Sequence, residues 1–331
     1  MEEIMSKPLL GVAIGDPAGI GPEILAKALA TGEPQSRATI LLIGSMPVMR
    51  RGMAVAGVEL PLQAISSVEE ISQSADSVQI LDDGLIGDAE MAEIEYGKEL
   101  AICGRAIGHW IKQGMELATS GKLDGLVMAP INSESMAAAG TLDTIMDADE
   151  GSRFLAVYSG PLRIIHIFDH VLLQDVCARL TTELVEKALK VTYQTLVSWG
   201  IPAPRIGVAG LNPHAHGPQE DNAITPGIER AQAAGINATG PVSPDSVFRQ
   251  CIEGKYDVVL AMCHDQGHIA LKTWGFEGNC GGFIGMPYLF MTTGHGTAFD
   301  IAGQGIASHA MMLSALNQCG AFAAGQGFLE S

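Results

Sequence analysis

Residues 11–24 read "GVAIGDPAGIGPEI", and this stretch decides the fold. An apolar, β-prone run meets a turn built from Gly15, Asp16, Pro17, Gly19 and Gly21, and Pro22 then opens a helix. Proline suits a first helical turn because its missing N–H has no intrahelical partner there. A strand that passes through a tight turn into a helix is the unit from which α/β domains are built.

Outward from this unit the same alternation repeats. "ATILLIG" precedes "MPVMRRGMAVAG", "DGLVMAP" precedes a Ser-led turn, and "RIGVAG" precedes "TPGIERAQAAG". Such alternation predicts parallel sheet with crossover helices. Two long amphipathic helices are predicted, around Lys98 to Ser120 and around Thr181 to Trp199, where apolar residues recur at spacings of three and four. No internal repeat, low-complexity tract or linker interrupts the chain, so domain crossings run through ordinary turns, near Pro130 and near Gly278. The expected division is residues 1–130 with 278–331 in a first, discontinuous α/β domain, and residues 131–277 in a second.

Composition narrows the function. With 331 residues and 47% hydrophobic content, the chain can bury a large core. Its 37 acidic against 19 basic residues, a formal charge of −18, argue against a general affinity for nucleic acid or anionic membranes. A metal cation or a small molecule is the better partner. The six cysteines (Cys103, Cys177, Cys251, Cys263, Cys280 and Cys319) show neither CxxC pairing nor the density of a secreted scaffold, and read as reduced thiols in a cytoplasmic protein. The opening "MEEIMSKPLL" carries acids where a signal peptide would carry base, and no apolar run reaches the length of a bilayer.

Chemistry gathers at two places. In "AMCHDQGHIALK", residues 261–272, an apolar run ends in His264, Asp265, Gly267 and His268. In "GHGTAFDIAGQGIASHAMMLSAL", residues 294–316, His295, Asp300 and four glycines precede an apolar helix. Glycines permit close approach of backbone to ligand, and an aspartate can accept hydrogen bonds from a ribose diol.

The spacing within these stretches carries a resemblance. "HGTAFDIAGQGIA" resembles the adenosine-binding loop of the isocitrate and isopropylmalate dehydrogenase superfamily, and "GDPAGIGPE" resembles its amino-terminal turn with a short insertion. Within that superfamily the chain is similar to the 4-hydroxythreonine-4-phosphate dehydrogenase (PdxA) family. "GDPAGIGPEI", "NPHA" at 212–215, "PDSVF" at 244–248 and "AMCHDQGHIALK" recur there in this order, over nearly the whole chain.

The resemblance implies two α/β/α domains of isocitrate/isopropylmalate dehydrogenase-like fold with the active site in the cleft between them. It implies NAD on His295, Gly296, Thr297, Asp300, Ile301 and Gly303, with the Asp300 carboxylate repelling the 2′-phosphate of NADP. It also implies one divalent metal (zinc, magnesium, manganese or cobalt) on His170, His214 and His264. Neutral imidazoles suit such ions, and an ion with open positions polarises a substrate oxygen. A lone histidine is more often a cap or a core residue than a ligand, so His166, His216 and His268 stay open, and His109 and His309 read as structural or surface residues. Lys272 and Asp265 are the catalytic candidates, with a bound water as a third base, and Asp16, Asn132, Lys272, Asn279 and Phe290 are the substrate candidates. A homodimer is implied, with its metal site completed across the interface by His264 of the other subunit.

The substrate half departs from the family. Where relatives read Pro-Phe-Ile-Arg-Thr-Ser before Asp-His-Gly-Thr, this chain reads "PYLFMTTGHGT", which puts Phe290 in the place of the phosphate-binding arginine and Gly294 in that of an acid. An apolar ring does not replace a bidentate guanidinium. The family's Asn-Lys pair is Asn132 followed by Ser133, its Gly-His-Thr-Glu motif is missing from "TLDTIMDADEGSRFLAV", and "HGPQEDN" is short. The pattern is similar to the branch that oxidises carboxylated cyclohexadiene cis-diols, such as the terephthalate dihydrodiol dehydrogenases. The expectation is therefore an NAD- and metal-dependent oxidation of a secondary hydroxyl near a carboxylate, with decarboxylation, on an unphosphorylated substrate. The alternatives are an authentic 4-hydroxythreonine-4-phosphate dehydrogenase of pyridoxal phosphate biosynthesis and a non-catalytic relative that binds metal and nucleotide.

Overall fold

A computed structural model describes residues 7–72, 77–146 and 151–329. The first residues of "MEEIMSKPLL" and residues 147–150 of the stretch that lacks Gly-His-Thr-Glu lie outside the described residues. The strands are β1 (Leu9–Ala13), β2 (Thr39–Ile43), β3 (Leu62–Ile65), β4 (Val78–Leu81), β5 (Gly125–Met128), β6 (Phe154–Ser159), β7 (Leu162–Phe168), β8 (Ile206–Ala209), β9 (Ala238–Val242), β10 (Val258–Cys263), β11 (Cys280–Ile284) and β12 (Phe290–Thr293). The architecture is mixed α/β, in two compact units: Met1–Asp147 with Pro287–Ala324, and Ala148–Met286 with Gly325–Ser331.

In the first unit the strand order is β3-β4-β2-β1-β5-β12, and every pairing is parallel. Leu10, Val12, Leu41, Leu42 and Val127 are almost wholly buried, as parallel strands covered on both faces must be. The opening unit of the sequence forms as read: β1 runs into the turn, and Pro22 sits in the first turn of the helix Gly21–Ala30. The helix Ala101–Thr119 crosses the helix Ser133–Ala139 so closely that a Cβ on Gly104 would lie 1.9 Å from the carbonyl oxygen of Ser135. Only glycine allows that approach.

In the second unit the order is β11-β6-β7-β10-β8-β9. β7, β10, β8 and β9 pair in parallel, but β6 runs antiparallel to both β7 and β11. The expected parallel sheet is interrupted at β6 for a local reason. Only Gly160 and Pro161 separate β6 from β7, with Gly160 at φ +54. Two residues can close a hairpin, whereas a parallel return needs a crossover of about a dozen. Leu162, Ile164, Val247, Tyr256, Val259 and Ala261 form the core of this unit.

The crossings between units fall after Asp147, Met286 and Ala324, not near Pro130 and Gly278. Pro130 belongs to the first unit because its carbonyl accepts the Asp16 N–H at 2.9 Å, which ties the end of β5 to the turn after β1. Gly278 precedes β11, which pairs with β6 inside the second unit. Among the described residues no helix is long and apolar enough to cross a membrane, and all six cysteines are free thiols.

Candidate active site

β7 and β10 are parallel neighbours, with Ala261 opposite His166 and Cys263 opposite Phe168. Their carboxyl ends therefore release Asp169-His170 and His264-Asp265 side by side, at the end of a parallel sheet where ligands are usually bound. Asp169, His170 and His264 each offer an atom that lies within 4.8 Å of the others. The rings of His170 and His264 are 4.9 Å apart, centre to centre, within a single chain. A cavity of about 540 Å³ opens on these groups, bounded also by Leu172, Leu211 and Asp265.

The donor set fits a divalent cation. Two imidazoles and a carboxylate suit zinc and its first-row neighbours. One Asp169 carboxylate oxygen, Oδ1, is buried with no hydrogen-bond partner among the described residues, and His170 Nδ1 approaches it to 3.1 Å without hydrogen-bond geometry. A cation is what such an oxygen lacks. His264 Nδ1 lies 2.9 Å from Asp265 Oδ1; that contact holds the Asp265 carboxyl below its ordinary range and turns the His264 ring. Gln266 fastens the start of the helix His264–Trp274, accepting the Met262 N–H at 2.9 Å and donating to the Gly210 carbonyl at 2.7 Å.

Two further histidines stand behind the group. His268, one helical turn after His264, stacks on it with ring centres 3.8 Å apart, and His166 lies 4.9 Å from His268. His166 is wholly buried and donates from Nδ1 to the Leu155 carbonyl at 3.2 Å, which leaves Nε2 as a lone pair with no partner among the described residues. Burial, aided by His268, lowers its pKa to about 3, and burial with His264 lowers that of His268 to about 4. Both rings are neutral near pH 7.

The structure does not bring His214 into this group: among the described residues the cluster is Asp169, His170 and His264. His214 is exposed, at φ 57 and ψ 18, in the turn Pro213–Ala215. That turn hangs from buried Glu220. Its carboxylate accepts the N–H groups of Leu211 and Asn212 and the Asn212 side-chain amide, each at 2.7 Å. Burial raises the Glu220 pKa, but the bonds from Asn212 and Leu211 outweigh it and the net shift is downward. Asp169 is the residue sequence reasoning missed; its only signal was an acid adjoining His170 in "IFDHVL".

In the first unit the nucleotide-loop candidates share one surface. The Ile20 N–H donates to the Thr297 carbonyl at 3.1 Å, so the loop from His295 to Gly303 is seated on the turn after β1. Thr297 is buried, Gly303 faces the Tyr96 ring at φ +79, and Gln304 donates to the Asp300 carbonyl at 2.8 Å. Just before the first anchor a Cβ on Gly296 would meet nothing within 4 Å, and between the anchors Asp300 is exposed. The loop is fixed at its ends and open in its middle.

The substrate candidates fare differently. Asp16 is wholly buried; its Oδ1 accepts the Ala18 N–H at 2.8 Å, and burial lifts its pKa to about 6. Asn132 caps the helix Ser133–Ala139, accepting the Ser135 N–H at 2.6 Å. Asn279, 3% exposed, donates to the Gly275 carbonyl at 2.7 Å. Phe290, 8% exposed, stands on β12 opposite Leu126 and fills space instead of facing solvent. Lys272 alone of the five extends an exposed side chain, from the helix His264–Trp274.

The protein-family model described as pyridoxal phosphate biosynthetic protein PdxA matches residues 36–319. A protein of Novosphingobium aromaticivorans named as a 4-hydroxythreonine-4-phosphate dehydrogenase is 43% identical, over 98% of each chain. The crystal structure of a 4-hydroxythreonine-4-phosphate dehydrogenase from Burkholderia phymatum superposes with a TM-score of 0.83 at 33% identity, covering 96% of this chain and 98% of that one. A terephthalate 1,2-cis-dihydrodiol dehydrogenase from Burkholderia xenovorans LB400 superposes with a TM-score of 0.68 at 29% identity, covering 92% and 95%.

Proposed function

The chain belongs to the pyridoxal phosphate biosynthetic protein PdxA family, and from that premise we propose that it is a dehydrogenase oxidising a secondary hydroxyl of a 4-hydroxythreonine-4-phosphate-like substrate. Its relatives are named as dehydrogenases, which makes it an oxidoreductase. The observation that carries the substrate class is the 43% identity, end to end, with a protein named for that phosphorylated amino acid. The reading of an unphosphorylated substrate has less support than this alternative, because the likeness to the cis-dihydrodiol enzyme is weaker in both identity and superposition.

NAD is the proposed hydride acceptor, held by His295, Gly296, Thr297, Asp300, Ile301 and Gly303. The exposed Asp300 carboxylate accepts hydrogen bonds from a ribose diol and repels a 2′-phosphate. A divalent cation on Asp169, His170 and His264 would supply Lewis-acid polarisation of the substrate oxygen. Lys272 and Asp265 share the helix His264–Trp274 and are the groups proposed to take the hydroxyl proton. A β-keto acid formed in this way loses carbon dioxide, and its α-carbon then takes up a proton. A homodimer is also proposed; whether a second copy adds His214 or His264 to the site is read from metal affinity before and after dissociation.

A second reading, a carboxylated cis-dihydrodiol as substrate, is favoured by Phe290, a buried ring where the family resemblance puts an arginine. One assay separates the two. Metal-loaded protein with NAD is offered 4-phosphohydroxy-threonine and a carboxylated cyclohexadiene cis-diol in parallel, and reduced cofactor is followed by absorbance. Turnover of the phosphorylated substrate is expected. Turnover of the diol alone replaces the first reading by the second, and NAD binding without turnover of either moves the search to other hydroxy acids and favours the non-catalytic relative.

A further inference from the structure

We propose that Glu23 and Lys27 are positioning residues for the dinucleotide, holding the far end of the loop 295–307 in its receiving shape; the proposal rests on the reading of that loop as the NAD site. Both lie on the helix Gly21–Ala30, one turn apart, and Glu23 is 2% exposed. Glu23 Oε1 accepts the Lys27 ammonium at 2.8 Å and the Ala307 N–H at 2.9 Å. Lys27 also donates to the carbonyls of Gly305 at 2.9 Å and Ala307 at 2.8 Å. Every proton of the ammonium therefore has an acceptor, and two of the three acceptors belong to the loop.

The arrangement is more than a generic buried ion pair. The near end of the loop is fixed by the Ile20 bond to Thr297, and the far end by this pair, 278 to 284 residues away in sequence. Between them Asp300 is exposed, and just ahead of the near end Gly296 faces open space. Gly305, at φ +73, lies so near Val55 that a Cβ would stand 2.7 Å from its carbonyl oxygen, so the backbone there adopts a bend that needs outside support. Fixing a loop in its bound shape beforehand removes the ordering cost from the binding step.

The test uses the full chain and four variants, Lys27→Met, Lys27→Arg, Glu23→Gln and the double substitution. NAD affinity is measured by calorimetry, KM for NAD and kcat by turnover, and Co(II) affinity of the second unit by visible absorption. Lys27→Met is expected to raise the Kd and KM for NAD about tenfold, with kcat and Co(II) affinity unchanged. The double variant should bind NAD better than Lys27→Met, because the Glu23 charge leaves together with its partner. Lys27→Arg, which keeps the charge, should recover part of the loss. An unchanged NAD affinity in folded Lys27→Met overturns the proposal, as does a parallel fall in Co(II) affinity, which marks general destabilisation. If Lys27→Met does not fold, Lys27→Arg and the double variant are read by the same criteria. Failure of the unsubstituted protein to bind NAD removes the loop reading itself, whereas NAD binding that ignores all the substitutions removes only the role of the pair.

Discussion

The backbone N–H of Ile20 donates to the carbonyl oxygen of Thr297 at 3.1 Å, so two glycine-rich turns from opposite ends of the sequence form one surface. The contact is close because residue 19 has no side chain. A Cβ on Gly19 would lie 2.9 Å from Thr297 Cβ and 3.2 Å from its carbonyl oxygen.

Gly19→Ala is therefore expected to push the loop off the turn, destabilising the protein by about 1–3 kcal/mol, the usual range for an overpacked site. Urea unfolding gives the stability and KM for NAD gives the loop. A variant with both values unchanged would show that Thr297 yields without consequence.

The metal group sets Asp169 against His214. Asp169→Asn and His264→Ala should each weaken Co(II) or Zn(II) binding by about a hundredfold or more, since even outer-shell partners carry up to that much. His214→Ala should leave the affinity nearly unchanged in the single chain. The reverse ranking, read from a visible-absorption titration, would restore the set of three histidines that the family resemblance implies.

Asp16 predicts a pH dependence of stability. Its folded pKa is about 6 against an ordinary 3.8, raised by burial, so between these values the folded state holds the proton more often than the unfolded chain. Stability from this group is thus complete below about pH 4 and is lost as pH rises to about 6, by at most about 3 kcal/mol. Asp16→Asn keeps an acceptor for the Ala18 N–H and should abolish that slope, with the variant gaining on the parent above pH 6. Urea midpoints at pH 4, 5, 6 and 8 decide it; parallel slopes in both proteins would mean that Asp16 ionises freely when folded.

Glu220→Gln should loosen the turn that carries His214. One charged acceptor serves three donors at 2.7 Å, and an amide can accept through only one oxygen. A loss of about 1–3 kcal/mol is expected, with faster hydrogen exchange at Leu211 and Asn212. Exchange that stays slow would show that the turn stands without the carboxylate.

Much of the architecture is legible in the sequence where local chemistry decides it. The helix expected around Thr181 begins at Thr182 because Thr181 Oγ1 caps it, accepting the Leu184 N–H at 3.2 Å, and Pro22 opens its helix as read. What was not legible depends on pairings made at a distance. Nothing near Asp169 announces that β10 will bring His264 to it, and nothing near His166 announces the stacked His268 behind. The direction of the Phe290 ring follows from β12 lying against β5, a register that no short window contains.

That last pairing has a consequence for how the protein is made. The first unit has β5 in place early, but β12 and the helix Ala310–Ala323 that packs on it come from the last part of the chain. During synthesis the amino-terminal unit leaves the ribosome with the flank of Gly125–Met128 bare and stays so while Ala148–Met286 of the second unit emerges. Its completion waits for Phe290–Thr293 and Ala310–Ala323 to be made, and a nascent chain stalled before Phe290 should depend on holdase chaperones in a way the finished protein does not.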